Sequence, residues 1–133
     1  GVSPLPDIVA LAATTTGNGI VDIPSTNGTG AFSVATVNVG ANGFITVSAD
    51  TAGAAMPLTV SVCQTNPNTA MCLSPPTPTV SLNILAGQSP TFGVFATASG
   101  PVPLLPGVNR VFVRFTDTTG VIRGSTSVAV QTQ

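Results

Sequence analysis

Short runs rich in Val, Thr, Ile and Phe recur along the whole chain, and Gly, Pro or Asn interrupt nearly every pair of them. β-branched and aromatic residues suit a pleated, half-buried surface, whereas the interrupting residues set up turns. The pattern predicts strands near Ile8–Thr14, Gly19–Ile23, Phe32–Val39, Phe44–Ala49, Leu58–Cys63, Thr79–Leu85, Thr91–Thr97, Arg110–Thr116 and Val121–Val130. Breakers fall between them at Asn27-Gly28, Asn42-Gly43, Ser74-Pro75-Pro76-Thr77-Pro78, Gly100-Pro101 and Pro106-Gly107. Short strands at this spacing read as a β-sandwich or barrel. No stretch holds a helical period long enough for a substantial helix. At 133 residues the chain has room for one ordinary domain.

Alternation with a period of two sorts several strands into faces. Leu58, Val60 and Val62 share one side against Thr59, Ser61 and Cys63, and Val80, Leu82 and Ile84 alternate with Thr79, Ser81 and Asn83. At the C-terminal end, Val111, Val113 and Phe115 should face Ile122, Gly124, Thr126, Val128 and Val130, with Asp117-Thr118-Thr119-Gly120 as the hairpin turn. If Phe115 pairs with Ile122, Arg114 lies opposite Arg123, and like charges so placed repel. Either the register differs or an acceptor lies nearby. The segment from Asp7 to Ala13 could be a short capped helix, since Ala and Leu favour one. Thr14-Thr15-Thr16-Gly17 stops it early, and a strand is the better reading. Such a strand is apolar on both faces and calls for burial on both sides.

Charge is nearly absent. Three Arg and four Asp are the only charged residues, and there is no Glu, Lys, His, Trp or Tyr. An average domain is about one-quarter charged. With net charge −1 and no basic cluster, nucleic acid is not an expected partner. The longest apolar run is far too short to span a bilayer as a helix. The hydrophobic fraction, 43%, is high enough to build a core and argues against disorder.

The same absences remove most chemistry. Ser and Thr are plentiful, but no His or Lys is present to activate them. Asp7, Asp22, Asp50 and Asp117 are single, scattered and next to turns or strand ends, as backbone-capping Asp residues are. A paired-carboxylate catalyst or a loop calcium site would cluster them. No enzyme activity, cofactor or metal is expected. Cys63 and Cys72 flank a turn containing Asn66-Pro67-Asn68. Neither redox nor zinc spacing is present, so they read as a structural disulfide, formed outside the cytoplasm. Closing so short a loop contributes roughly 2.5–3 kcal/mol in the chain-entropy picture.

For a secreted sandwich, a glycan is the strongest ligand candidate. Sugar platforms use Trp or Tyr, and this chain offers only six Phe, at positions that read mainly as core. Phe95 and Phe112 fall on the phase opposite their apolar neighbours and are the candidates for an exposed apolar patch. Asn27-Gly28-Thr29 matches a glycosylation acceptor, although a plain Asn-Gly turn is the simpler reading. The surface itself is more informative. It must consist mostly of Thr, Ser, Asn, Ala, Val and Gly, without the Lys that usually blunts edge strands. Identical neighbours could cover it, or the domain could be one bead of a longer array. The N-terminal strand (Ile8, Val9, Ala10, Leu11, Ala12, Ala13) is the candidate inter-subunit strand. Residues 1–16 would either leave the 17–133 sandwich to complete a neighbour's sheet or fold back onto their own. The start at Gly1-Val2-Ser3-Pro4 reads as a processed chain or as an excerpt.

The stretch from Thr79 to Gln133 resembles immunoglobulin-like repeat modules of large secreted or surface-anchored bacterial proteins. The residues that carry it are Leu85-Ala86-Gly87-Gln88-Ser89-Pro90-Thr91-Phe92-Gly93-Val94, then Asn109-Arg110-Val111-Phe112-Val113-Arg114-Phe115, then Gly124-Ser125-Thr126-Ser127-Val128-Ala129-Val130. The resemblance implies an all-β, immunoglobulin-like β-sandwich of about eight to ten short strands with a spacer, stalk or assembly role. It supplies no catalytic residues. The expectation is therefore a structural subunit of a self-assembling filament or layer outside a bacterial cell, its partners copies of itself. An adhesive or carbohydrate-binding module of a larger secreted protein is the alternative.

Overall fold

The computed structural model describes residues 5–133. Among them there are nine strands and no helix: β1 (Ile8–Thr14), β2 (Ile20–Ile23), β3 (Thr29–Asn38), β4 (Gly43–Asp50), β5 (Leu58–Thr65), β6 (Thr79–Ile84), β7 (Thr91–Ala98), β8 (Arg110–Thr116) and β9 (Ile122–Thr132). Every strand expected from the sequence is present, with shifts of a few residues at the ends. Two sheets pack face to face, one ordered β1-β3-β7-β5 and the other β2-β9-β8-β4-β6. The first order matches A-B-E-D of an immunoglobulin domain, and β9-β8-β4 matches G-F-C. The fold is an immunoglobulin-like β-sandwich. In one departure, the strand extending the second sheet beyond β4 follows the edge strand of the first sheet in the chain.

The core follows the alternation. From the first sheet come Phe32, Val34, Phe92, Val94 and Val62, and from the second Ile45, Val47, Val111, Val113, Phe115, Val128 and Val130, all buried. Phe92 and Phe115 meet edge to face with ring centroids 5.7 Å apart, a favoured aromatic geometry. Phe44 is an exception to the expectation that Phe is core. It opens β4 on the outward phase and is exposed.

The segment after Asp7 is a strand, β1, paired antiparallel with β3 of the same chain from Ile8↔Asn38 to Thr14↔Phe32. Residues 1–4 of the expected 1–16 segment lie outside the described residues. Only one face of β1 is covered. Ile8 is buried and Ala10 and Ala12 pack against the core, while Val9 and Leu11 are 53% and 70% exposed. The expectation of burial on both faces is thus corrected, because β1 is an edge strand of a two-layer fold with no third layer outside it.

The C-terminal hairpin resolves the Arg conflict in both ways. Val111 pairs with Val128 and Phe115 with Gly124, but a bulge between Phe115 and Thr116 shifts the next pair to Thr116↔Ile122. The bulge turns Ile122 outward, where it is exposed rather than in the core as the alternation implied. Arg114 now lies opposite Ser125. Each Arg also has its own acid: Arg114 Nε is 2.8 Å from Asp50 and Arg123 Nε 2.6 Å from Asp117.

Cys63 and Cys72 form the disulfide, with Cα atoms 5.5 Å apart. The Asn66 side chain accepts from Asn68 N–H at 2.8 Å, and Asn66 N–H donates to Met71 O at 2.9 Å, so the turn is internally bonded. The downstream chain also bonds to β5. Leu73 N–H donates to Gln64 O, and Val62 and Thr77 exchange main-chain hydrogen bonds. This covers an edge that would otherwise be open.

Candidate interaction surface

The charged residues sort by sheet. Asp22 lies in β2, Asp50 in β4, Arg110 and Arg114 in β8, and Arg123 in β9, all strands of the five-stranded sheet. Asp117 sits in the β8–β9 turn and Asp7 just before β1. The four strands of the other sheet hold none. The outer surface of the five-stranded sheet is held by polar pairing. Arg114 and Asp50 form two hydrogen bonds, Arg110 bonds Ser127 and Pro106 O, and Gln131 donates to Asp22 at 2.7 Å. The Arg114 hydrogen bonds hold the Asp50 carboxyl below its ordinary range. In the hairpin turn, hydrogen bonds from Thr119 and then Arg123 hold Asp117 well below it too.

The outer face of the four-stranded sheet is different. β1 contributes Val9, Leu11 and Ala13; β3 contributes Ala31, Ser33 and Ala35; β7 contributes Gly93 and Phe95. Between the end of β1 and the disulfide turn lies a groove of about 360 Å³, walled by Thr14, Thr65 and Ala70 over a floor of Ala31, Ser33 and Gly93. Phe95 stands at its side. Of the two Phe residues expected to form an exposed patch, neither is more than half exposed. They also lie on opposite outer faces. Phe95 belongs to the first sheet, whereas Phe112 belongs to the second, with the Arg114 guanidinium 4.9 Å from its ring centroid. They do not make one patch, because strand order places β7 and β8 in different sheets.

The four Asp residues are not brought together, and no group of three or more metal-ligating side chains occurs among the described residues. Sequence reasoning missed Asn38. It is fully buried at the end of β3, in phase with the buried Val34 and Thr36. Its side chain accepts from Asp7 N–H and Gly40 N–H and donates to Ala41 O and Ile84 O at 2.8–3.1 Å. One side chain thereby ties the lead into β1 to the β3–β4 turn and to β6. The available signal was an amide on the buried phase of a strand, which must find partners.

No family model matches the sequence, and no curated protein matches it. Solved structures do resemble the fold. The N-terminal domain of PorA superposes with a TM-score of 0.53 at 11% identity, covering 93% of this chain and 97% of that one. The sporulation control protein Spo0M from Bacillus subtilis gives 0.53 at 9% identity, covering 97% of this chain and 50% of that one. AvmM, which catalyses macrocyclization in alchivemycin A biosynthesis, gives 0.51 at 13%, covering 94% and 89%. At such identities the likeness is one of fold, and a shared sandwich carries no shared activity.

Proposed function

We propose that the chain is a structural subunit of a self-assembling filament or surface layer outside a bacterial cell, with copies of itself as partners. Strand complementation and apolar contacts hold the assembly together, and the chain performs no catalysis. The observation that carries the reading is the partition of charge. The strands of one whole sheet are uncharged, and its edge strand β1 exposes Val9 and Leu11 without a Lys, Pro or bulge to discourage a neighbour. The disulfide supports an oxidising location, and the resemblance to repeat modules of secreted bacterial proteins agrees with it. Negative-stain electron microscopy of the purified chain tests the reading. Regular fibres or sheets are expected, and dispersed 13.1 kDa particles at every concentration would refute it.

The groove beside Phe95 favours a second reading, an adhesive or carbohydrate-binding module of a larger secreted protein. It combines an aromatic side with the hydroxyls of Thr14, Ser33 and Thr65. A glycan array separates the two: a monomer with a glycan signal that Phe95→Ala removes supports the module, and an assembling chain with no signal supports the subunit.

A further inference from the structure

The seat of the N-terminal segment is more selective than a bare sheet edge. Ahead of β1, Ala41 N–H donates to Leu5 O and Val39 N–H to Asp7 O, both at 2.9 Å, while the buried Asn38 side chain accepts from Asp7 N–H. Three glycines make the room. A Cβ on Gly40 would strike the backbone of Leu5 and Asp7, one on Gly43 the ring of Pro6, and one on Gly124 the carbonyl of Ile8. Pro6 and Ile8 are themselves buried.

The link from β1 to β2 is bound far more lightly. Thr15 through Gly19 is exposed. Four of its bonds are local: Gly17 N–H to Thr14 O, Gly19 N–H to Thr14 Oγ1, Thr16 Oγ1 to the Asn18 side chain, and Ile20 N–H to the same Asn18 oxygen. At its far end Gly19 O also accepts from Ala129 N–H of β9 at 3.0 Å. Gly17 and Gly19 have positive φ, and a Cβ at either would meet open space. Straightening residues 15–18 costs these local turn bonds, and the bond from Ala129 anchors the link to β9 at Gly19. Every bond of the seat is then available to an identical segment from a second copy.

We infer, resting on the self-assembly reading above, that in the assembled state this seat is an acceptor site filled by Leu5–Thr14 of a second copy, with Asn38, Gly40, Gly43 and Gly124 reading the segment. The main-chain bonds along β3 supply affinity, and the seats of Pro6 and Ile8 supply specificity. The contacts in one chain and between chains are the same, so local concentration decides which is filled. Each copy gives its segment at one point and accepts at another, which propagates as an open chain.

Ala13 and Ser33 are cross-strand partners, both small and exposed. The full chain carrying Ala13→Cys and Ser33→Cys is assembled, treated with a short bis-maleimide, dissolved in denaturant and run on a gel. Loss of the monomer band into a ladder of covalent multimers is the expected result. Products confined to monomer overturn the exchange and leave assembly standing, and products that stop at dimer overturn its open-ended form. A chain that never assembles overturns the underlying reading and the inference with it. The second partner pair, Leu11→Cys and Ala35→Cys, repeats the test at another point of the strand.

Discussion

At the scale of single residues, buried polar groups and the few charges have the clearest consequences. Replacing Asn38 with Ala leaves Gly40 N–H and Ile84 O, which are buried, and Asp7 N–H and Ala41 O, which are half-buried, without their shared partner. Each orphaned group costs about 1–3 kcal/mol, and the sum is not additive, so a total loss of about 3 kcal/mol is expected from urea unfolding. Asn83→Ala, on the exposed phase of β6, should stay within about 0.5 kcal/mol in the same titration. The acids give a pH dependence of known sign. Asp50 and Asp117 have folded values below their unfolded ones, through hydrogen bonds from Arg114 and from Thr119 and Arg123 respectively. A lowered folded value stabilises above the unfolded pKa near 3.8 and is lost as pH falls through the folded value. The melting temperature should therefore hold level from neutral pH down to about pH 5 and fall below about pH 4. Asp50→Asn combined with Asp117→Asn should flatten that fall, and a fall of unchanged steepness would show that these two pairs do not cause it.

At the scale of elements, the disulfide turn and the hairpin bulge behave differently. Cys63→Ser with Cys72→Ser should lower stability by about 2–3 kcal/mol, from loop entropy alone. The freed turn also uncovers part of the β5 edge, so the double variant should exchange its β5 amide hydrogens faster than those of β8. Uniform exchange would mean that the turn does not protect that edge. The nine strands were legible because alternation and turn residues are local signals. β1 read as a strand because Thr14-Thr15-Thr16-Gly17 stops a helix early. What the chain does not announce locally is which sheet a strand joins. For that reason Phe95 and Phe112 looked alike in sequence and ended on opposite faces. The bulge after Phe115 was equally silent, since a one-residue slip leaves the alternation on either side of it intact. The seat built by Asn38, Gly40, Gly43 and Gly124 was invisible too, because Gly43 read as a turn residue while Asn38 and Gly124 read as strand residues, and nothing local brings them together. The disulfide was legible because two cysteines leave only one pairing.

At the scale of the whole molecule, the sandwich has one side whose charges are engaged in hydrogen bonds and one side whose strands have no charges. Association through the uncharged side should depend little on salt, because no counterions or screened pairs take part. A neutral β-rich surface with an unguarded edge favours neighbours of its own kind. A single Lys placed there restores the guard that most edge strands carry. The most direct measurement is sedimentation velocity of three chains at matched concentration: the unmodified protein, Leu11→Lys on the exposed face of β1, and Asn83→Lys on the other sheet. The account predicts large assemblies for the first and third, and for Leu11→Lys smaller, unbundled chains, because its side chain points away from the seat whichever copy supplies β1 and only face-to-face packing is lost. Equal assembly by both Lys variants, or a monomer for the unmodified chain, would contradict it.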